Sequence, residues 1–190
     1  MANVTVAVVV GSLRKESFSR KVAVAVCEIA KPVLALEIVE IGDLPLYNQD
    51  DDADGRVPAA WARFRGRIKE FDAVLFVTPE YNRSVPGVLK NAIDVGSRPY
   101  GQSAWNRKPA AVISVTPGAL GAFGANHHLR QSLVFLDMPT LQQPEVYIGQ
   151  VGQLLGPDGN LTNDNTRDLI EKFVAAFSAW IEANTEAVNM

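Results

Sequence analysis

Three serines and two arginines lie in one short segment, Gly11–Arg20 (GSLRKESFSR), that leads from an apolar run into a helical pattern. The hydroxyls of Ser12, Ser17 and Ser19 and the backbone N–H groups of the loop converge on a helix N-terminus, where the helix dipole favours an anion. Arg14 adds a planar set of donors that suits a phosphate. Because neither GxGxxG nor GxxxxGK[ST] is present, the segment predicts a site for one terminal phosphate. A simple helix cap would need one hydroxyl and no arginine, and it is the less favoured interpretation.

A second polar segment, Thr78–Gly87 (TPEYNRSVPG), follows the most apolar strand pattern of the chain. Two prolines bracket its turn, and the loop offers backbone groups, Tyr81 and Asn82 to a planar heterocycle. Taken alone, such a segment is more often only a turn, and its position beside the phosphate segment favours a binding role. The glycines of Thr116–Gly124 (TPGALGAFG) allow close approach to a ligand or simply a flexible crossover, and the sequence does not decide between them.

The elements that must position these segments alternate between strand and helix patterns. They are predicted at Val4–Val10, Phe18–Ala30, Ala35–Ile41, Pro58–Glu70, Ala73–Thr78, Pro86–Gly96, Ala110–Thr116, Ala122–Leu136, Pro139–Ile148 (an extended segment) and Asn163–Asn184. Such alternation predicts an α/β fold with an open five-stranded parallel sheet and helices on both faces, in strand order 2-1-3-4-5. Ligands of such sheets bind beyond the carboxyl ends of the strands, where the strand order reverses. With no internal repeat or long linker, residues 1–190 are predicted to form one domain.

Composition excludes several classes of function. The 190 residues are 47% apolar with a net charge of −3, which is typical of a globular protein and argues against nucleic acid or an anionic membrane as partner. No apolar run approaches the ~18 residues of a membrane span, and no signal peptide pattern is present. The single cysteine, Cys27, rules out an internal disulfide, a CxxC pair and a cysteine-ligated cluster. Redox chemistry would therefore need an organic cofactor, and the expected location is the cytoplasm.

Other candidate groups favour structural interpretations. His127 and His128 are adjacent in a helical pattern, so they point in different directions, unlike a metal-binding pair at i and i+4, and no metal site is predicted. Cys27 lies among valines in a helix and is interpreted as an inert buried thiol. The acidic segment Gln49–Gly55 and the segment Gly156–Asn165 are interpreted as solvated surface loops.

The combination of GSLRKESFSRKVA with TPEYNRSVPGVLKNAID resembles the NADPH-dependent FMN reductase family, in particular its quinone and chromate reductase branch. The resemblance extends over nearly the whole chain, including HHLRQSLVFLD and QPEV. It implies a flavodoxin-like three-layer fold that binds FMN and oxidises NADPH or NADH. The implied acceptors are quinones, free flavins, azo dyes or metal oxyanions such as chromate. The expected reaction follows ping-pong kinetics. It also implies assembly as a homodimer or homotetramer.

The resemblance also implies roles for individual residues. The FMN phosphate and ribityl chain are assigned to Ser12, Leu13, Arg14, Lys15, Glu16, Ser17, Phe18 and Ser19, and the isoalloxazine ring to Glu80, Tyr81, Asn82, Arg83 and Thr116. Tyr81 and solvent are both candidate proton donors. Arg83 is predicted to attract anionic acceptors, with pairing to Glu80 or exposure to solvent as the alternatives. Ser19 stands where the family usually has asparagine, and GALGAFGANHH stands where relatives have a GGAR-type stretch.

Two competing functions remain. A flavodoxin that only carries electrons typically has an arginine-free phosphate loop and a strongly acidic surface. The presence of Arg14, Lys15 and Arg20, together with a net charge of only −3, favours the enzyme. A non-redox scaffold that binds a regulatory nucleotide is the second alternative.

Overall fold

A computed structural model describes residues 4–52 and 56–186 of the chain. Its strands are β1 Thr5–Val10, β2 Ala35–Val39, β3 Ala73–Thr78, β4 Ala110–Val115 and β5 Val146–Ile148, and its α-helices are α1 Phe18–Ala30, α2 Ala59–Lys69, α3 Gly87–Gly96, α4 Phe123–Phe135 and α5 Asp164–Glu186. Short 3₁₀ helices cover Gln49–Asp52 and Val151–Gln153. The predicted elements are all found, although β2 ends at Val39 and only Val146–Ile148 of the last extended segment joins the sheet.

The sheet has the predicted strand order β2-β1-β3-β4-β5, and every pairing in it is parallel. Helices α1 and α5 contact each other on one face, and α2 and α3 contact each other on the other. This arrangement is the three-layer flavodoxin-like architecture. Strand β2 lies at an edge and is partly exposed, as its glutamates predict.

The three central strands are mostly apolar because both of their faces are covered. Along β1, Val6, Val8 and Val10 pack into the core under α1 and α5, while Ala7 and Val9 pack into the core under α2 and α3. Strands β3 and β4 are buried at every residue. Burial of a valine side chain contributes about 1.5–3 kcal/mol, so the central strands hold the sheet rigid beneath the loops at its edge.

The prediction that the acidic segment after β2 is a solvated surface loop is wrong for Asp52. Asp52 and Arg65 form an ion pair at 2.7 Å, with side chains only 5% and 10% exposed. Arg65 also donates to the carbonyl of Val95 at 2.7 Å and lies over the ring of Trp61. Asp52 therefore fixes the segment against α2, and residues 53–55 of the predicted loop lie outside the described residues.

The segment before α5 is a solvated turn, as predicted, with one anchor. The amide of Gly156 donates to the carbonyl of Asn160 at 2.8 Å, and the backbone amide of Asn160, which donates to Asp158, lowers the pKa of that carboxyl. Leu161 is buried beneath this turn. In the described part of the chain, no helix is both long and apolar enough to cross a membrane.

Replacement of Asp52 by alanine should lower the free energy of unfolding by about 3 kcal/mol, because Arg65 would keep a buried charge without its carboxylate. Asp51→Ala is the matched control, since Asp51 is exposed in the same short helix, and it should change stability by less than about 0.5 kcal/mol. Urea unfolding of the three proteins measures both values. Equal stability of the two variants would contradict a structural role for the pair.

Candidate functional site

The carboxyl ends of β1 and β3 lie against each other at the edge where the sequence predicts a ligand. The amide of Gly11 donates to the carbonyl of Val77 at 2.9 Å, continuing the sheet beyond β1. A Cβ atom on Gly11 would lie 3.0 Å from both the Thr78 hydroxyl and a methyl group of Leu89. A side chain at this position would therefore be tightly crowded, and glycine lets the chain leave β1 this close to β3 and α3.

The loop after β1 presents backbone donors that the protein does not use. Ser17 caps α1, because its hydroxyl accepts the amide of Arg20 at 3.1 Å. The amides of Leu13, Phe18 and Ser19 donate to no acceptor within residues 4–52 and 56–186. Capping and anion binding are thus compatible here: one hydroxyl completes the helix, and the remaining amides stay available to a phosphate.

Two serines of the segment, Ser12 and Ser19, are buried as residues and keep a hydroxyl proton that no group in the described residues accepts. Ser12 is 8% exposed and its hydroxyl accepts the amide of Arg14 at 3.4 Å, which leaves the hydroxyl proton free to be donated. Ser19 is 2% exposed, and its hydroxyl has no partner among the residues that the structure describes. A bound phosphate would supply the acceptor that both hydroxyls lack.

The basic side chains of the segment divide into paired and unpaired ones. Arg20 pairs with Glu40, which raises the pKa of the guanidinium, and Lys21 pairs with Glu16, which lowers the pKa of that carboxyl. Arg14 and Lys15 are exposed and take part in no ion pair within the described ranges. The two unpaired cations therefore lie on the loop that carries the unused amides.

The loop after β3 is a tight hairpin rather than an irregular turn. Tyr81 and Ser84 exchange two backbone hydrogen bonds of 3.1 and 3.0 Å, and Asn82 and Arg83 between them both have positive φ, 51° and 63°. This is the geometry of a type I′ turn, in which asparagine is common and glycine is usual at the position of Arg83. The hairpin presents Tyr81, Asn82 and Arg83 at the surface.

The charged side chains at this hairpin form hydrogen bonds within the protein. The Arg83 guanidinium donates to Glu80 Oε1 at 3.0 Å, so the structure shows the alternative of pairing with Glu80. Glu80 Oε2 accepts the amide of Ala125, at the start of α4, at 3.0 Å. Both carboxylate oxygens of Glu80 are therefore hydrogen-bonded within the protein, and its backbone is the part that is free to contact a ring. The Arg83 side chain is 72% exposed, so most of its surface still faces solvent.

The loop after β4 is fixed from within the protein. The Thr116 hydroxyl accepts the amide of Gly118 at 3.2 Å, and the Ser114 hydroxyl donates to the carbonyl of Gly121 at 2.7 Å. Asn126, fully buried in α4, donates to Ser114 at 3.1 Å. Sequence reasoning missed Ser114 and Asn126, although a polar residue inside an apolar strand was the available signal.

Large apolar side chains from all three loops are exposed at this edge. They are Leu13 after β1, Tyr81 after β3, and Leu120 and Phe123 after β4, with exposures from 48% to 62%. Exposed apolar groups that cluster beside polar donors are typical of a ligand site. The arrangement suits a ligand with a phosphate at one end and a planar apolar ring at the other.

The remaining candidates have the structural roles predicted for them. His127 contacts the Tyr147 hydroxyl at 3.1 Å, whereas His128 contacts the Ser84 hydroxyl at 3.0 Å, so the two histidines point in different directions. Burial raises the pKa of the Cys27 thiol to about 11, which makes it a poor nucleophile at neutral pH.

The fold defines a doubly wound flavodoxin-like protein, and the loop predicted to bind a phosphate lies at its switch point. The profile of the NADPH-dependent FMN reductase family matches residues 4–153, and the chain belongs to that family of oxidoreductases. A quinone reductase of Pseudomonas putida is 65% identical over 180 residues, covering 95% of this chain and 96% of its own. A 2-hydroxy-1,4-benzoquinone reductase of Burkholderia sp. is 44% identical, covering 93% of this chain and 95% of its own.

A solved structure extends the comparison to three dimensions. The flavoenzyme NAD(P)H:(acceptor) oxidoreductase FerB of Paracoccus denitrificans superposes with a TM-score of 0.88 at 45% identity, covering 95% of this chain and 98% of its own. The predicted family and fold are confirmed, as are FMN as cofactor and a reduced nicotinamide nucleotide as electron donor. The unused amides, free hydroxyls and unpaired cations of Ser12–Ser19 fit the phosphate of FMN, and they remain the predicted contacts.

Arg14→Ala should weaken FMN binding by about 1.5–3 kcal/mol, the scale of one lost charge-assisted hydrogen bond. Arg63→Ala is the matched control, because Arg63 is an exposed arginine of α2 that pairs with Asp43 outside the three loops. Titration of the ligand-free proteins, followed by flavin fluorescence, measures the affinities. An Arg14 variant that binds FMN as tightly as the Arg63 variant would remove Arg14 from the phosphate site.

Proposed function

We propose that this protein is an FMN-dependent NAD(P)H:quinone oxidoreductase. The observation that carries the proposal is the loop Ser12–Ser19, whose unused amides and unpaired cations adjoin the exposed apolar groups of the neighbouring loops. When bound, FMN supplies a ring that accepts a hydride from NAD(P)H and passes electrons to an acceptor. The names of the relatives, quinone reductase and 2-hydroxy-1,4-benzoquinone reductase, support a quinone as that acceptor.

The proposed roles of the residues in binding FMN follow from the loops on which they lie. Ser12, Ser19 and Arg14 hold the phosphate, and the amides of the same loop complete its hydrogen bonds. The hairpin at Tyr81–Ser84 and the loop at Thr116 bound the ring on two sides. Rigid strands beneath both loops hold this arrangement in place before any substrate arrives, which reduces the entropy lost on binding.

The range of acceptors that can reach the site depends on its exposure to solvent. Leu13, Tyr81, Leu120 and Phe123 form an apolar rim that is exposed to solvent, so planar apolar acceptors of different size can be admitted. NAD(P)H and the acceptor use this one face in turn, which gives ping-pong kinetics. The protons that a quinone takes up come from the Tyr81 hydroxyl or from solvent. Free flavins and chromate are further acceptors in the proposal.

Assembly and location complete the proposal. The protein is cytoplasmic and assembles as a homodimer or a homotetramer. Two apolar residues at the end of α4, Val134 and Phe135, support the assembly because they are 76% and 80% exposed. Apolar residues exposed together on a helix are a common feature of subunit contacts.

The purified protein should oxidise NADPH or NADH continuously when a benzoquinone is present, and double-reciprocal plots at several quinone concentrations should be parallel lines. Absorbance at the nicotinamide band measures the rate, with protein stripped of flavin as the control. A flavin-loaded protein that turns over no NAD(P)H would instead support the flavodoxin-type electron carrier. Intersecting lines would contradict the ping-pong mechanism and leave the activity standing.

Arg83→Ala should lower kcat/KM for chromate more than it lowers kcat/KM for a neutral benzoquinone. The difference between the two losses should correspond to about 1 kcal/mol of transition-state free energy. The physical reason is that the exposed side of the guanidinium attracts anions within the ~8 Å screening length of physiological salt. The ratio of the two kcat/KM values should return toward that of the unmodified protein as salt rises. Equal losses for both acceptors would mean that Arg83 serves the flavin or the hairpin, and anion attraction would be wrong.

A further inference from the structure

Helix α4 begins without a cap of its own. Its N-cap residue, Ala122, has no side-chain oxygen and lies in the left-handed region at φ 58°, directly after Gly121 at φ 61°. The amide of Ala125, in the first turn, needs an acceptor from elsewhere. Glu80 supplies it from the loop after β3 at 3.0 Å, across 45 positions of sequence. A carboxylate also suits the positive end of the helix dipole.

The first turn of α4 lies in close contact with the hairpin at Gly124. A Cβ atom on Gly124 would lie 2.9 Å from both Glu80 Oε2 and the carbonyl oxygen of Arg83, a distance that real Cβ atoms essentially never show. The backbone of Gly124 is not in the left-handed region, so the requirement for glycine comes from the contact alone. One turn further along α4, His128 contacts the Ser84 hydroxyl at 3.0 Å.

The other oxygen of Glu80 holds the hairpin itself. Oε1 accepts Arg83 Nη1 at 3.0 Å, and Arg83 occupies the turn position where glycine is usual. The Glu80 side chain is only 11% exposed, and its bond to the amide of Ala125 is partly buried, whereas its bond to the exposed Arg83 guanidinium faces solvent. One carboxylate thus joins the turn of the hairpin to the first turn of α4.

We propose that Glu80 is a positioning residue, which sets the distance between the loop after β3 and the loop after β4 and so fixes the width of the site between them. This role rests on the proposed function, since those two loops bound the ring. Among the described residues, no backbone hydrogen bond joins the loop after β3 to the loop after β4, so side-chain contacts set their spacing. Glu80 provides it through α4 and the hairpin, and its carboxylate does not act on the substrate.

The test compares Glu80→Ala, Glu80→Gln and Gly124→Ala with the control Glu37→Gln. Glutamine keeps an oxygen for the amide of Ala125 and loses the charge opposite Arg83. Gly124→Ala keeps Glu80 in place and pushes the two loops apart with a methyl group that would meet both Glu80 Oε2 and the carbonyl oxygen of Arg83. Glu37 pairs with Arg67 on the edge strand, away from the three loops. Hydrogen exchange on the ligand-free proteins and titration with FMN are the two measurements.

Exchange at the hydrogen-bonded amides of Tyr81, Ser84 and Ala125 should be at least ~10-fold faster in Glu80→Ala and Gly124→Ala, while exchange in α1 stays unchanged. FMN should bind about tenfold more weakly to both, a change of 1.4 kcal/mol, and Glu80→Gln should lie between them and the control. Unchanged local exchange in Glu80→Ala, or faster exchange throughout the protein, would overturn the proposal. FMN affinity equal to that of the control would also overturn it.

The two proposals fail in different ways. If the unmodified protein does not bind FMN, the proposed function fails, and exchange in the ligand-free variants still decides whether Glu80 joins the two loops. If FMN binds and the exchange rates do not change, the proposed function stands and the positioning role is wrong.

Discussion

The site depends on one constraint, which is that β1 and β3 are parallel neighbours whose chains leave in different directions. The chain after β1 turns toward α1 on one face of the sheet, and the chain after β3 turns toward α3 on the other. A crevice must open between the two loops at this edge. Gly11 allows the strands to stay in contact up to the point where they part, since any side chain there would meet Thr78 and Leu89. Every predicted ligand contact lies on a loop that leaves this edge or the adjacent end of β4.

The binding loop combines exposed cations that have no ion-pair partner among the described residues with backbone donors that have no acceptor there. Lys21, Lys90 and Arg63 each lie beside a carboxylate, and such pairs on an exposed surface contribute little to stability. Arg14 and Lys15 have no such partner within the described ranges, and they lie beside amides that the helix leaves free. Cations and N–H donors that lack protein acceptors are arranged to bind an external anion. This is the physical basis for assigning the phosphate of FMN to this loop.

Much of the fold could be predicted because it follows from local pattern. The bounds of α1 and β3 agree with the prediction residue for residue, since a helical period or a continuous apolar run marks each of them. The strand order follows from the alternation of elements. The fifth strand was overestimated, because a run of extended residues does not show how many of them pair with β4.

The contacts missed in the sequence are those between distant segments. Asp52 was placed in a solvated loop because nothing local indicates that Arg65 lies beneath it. The bond between the Glu80 carboxylate and the amide of Ala125, on a different element, was also missed, while the contact of Glu80 with the ring, which the family resemblance implies, remains a prediction. The type I′ turn at Asn82 and Arg83 was also missed, because its second central residue is not glycine. The hydrogen-bond partners of Asp52 and Glu80 lie 13 and 45 positions away in the sequence, and Arg83 departs from the usual residue preference of its turn.

The account depends most on the claim that Ser12–Ser19 is a site for the terminal phosphate of the flavin. The direct measurement is a titration of the unmodified, ligand-free protein with FMN and, in parallel, with riboflavin, which has the same ring and no phosphate. We expect FMN to bind at least ~10-fold more tightly, a difference of about 1.4 kcal/mol or more. Equal affinities for the two flavins would show that the loop is not a phosphate site and would contradict the account.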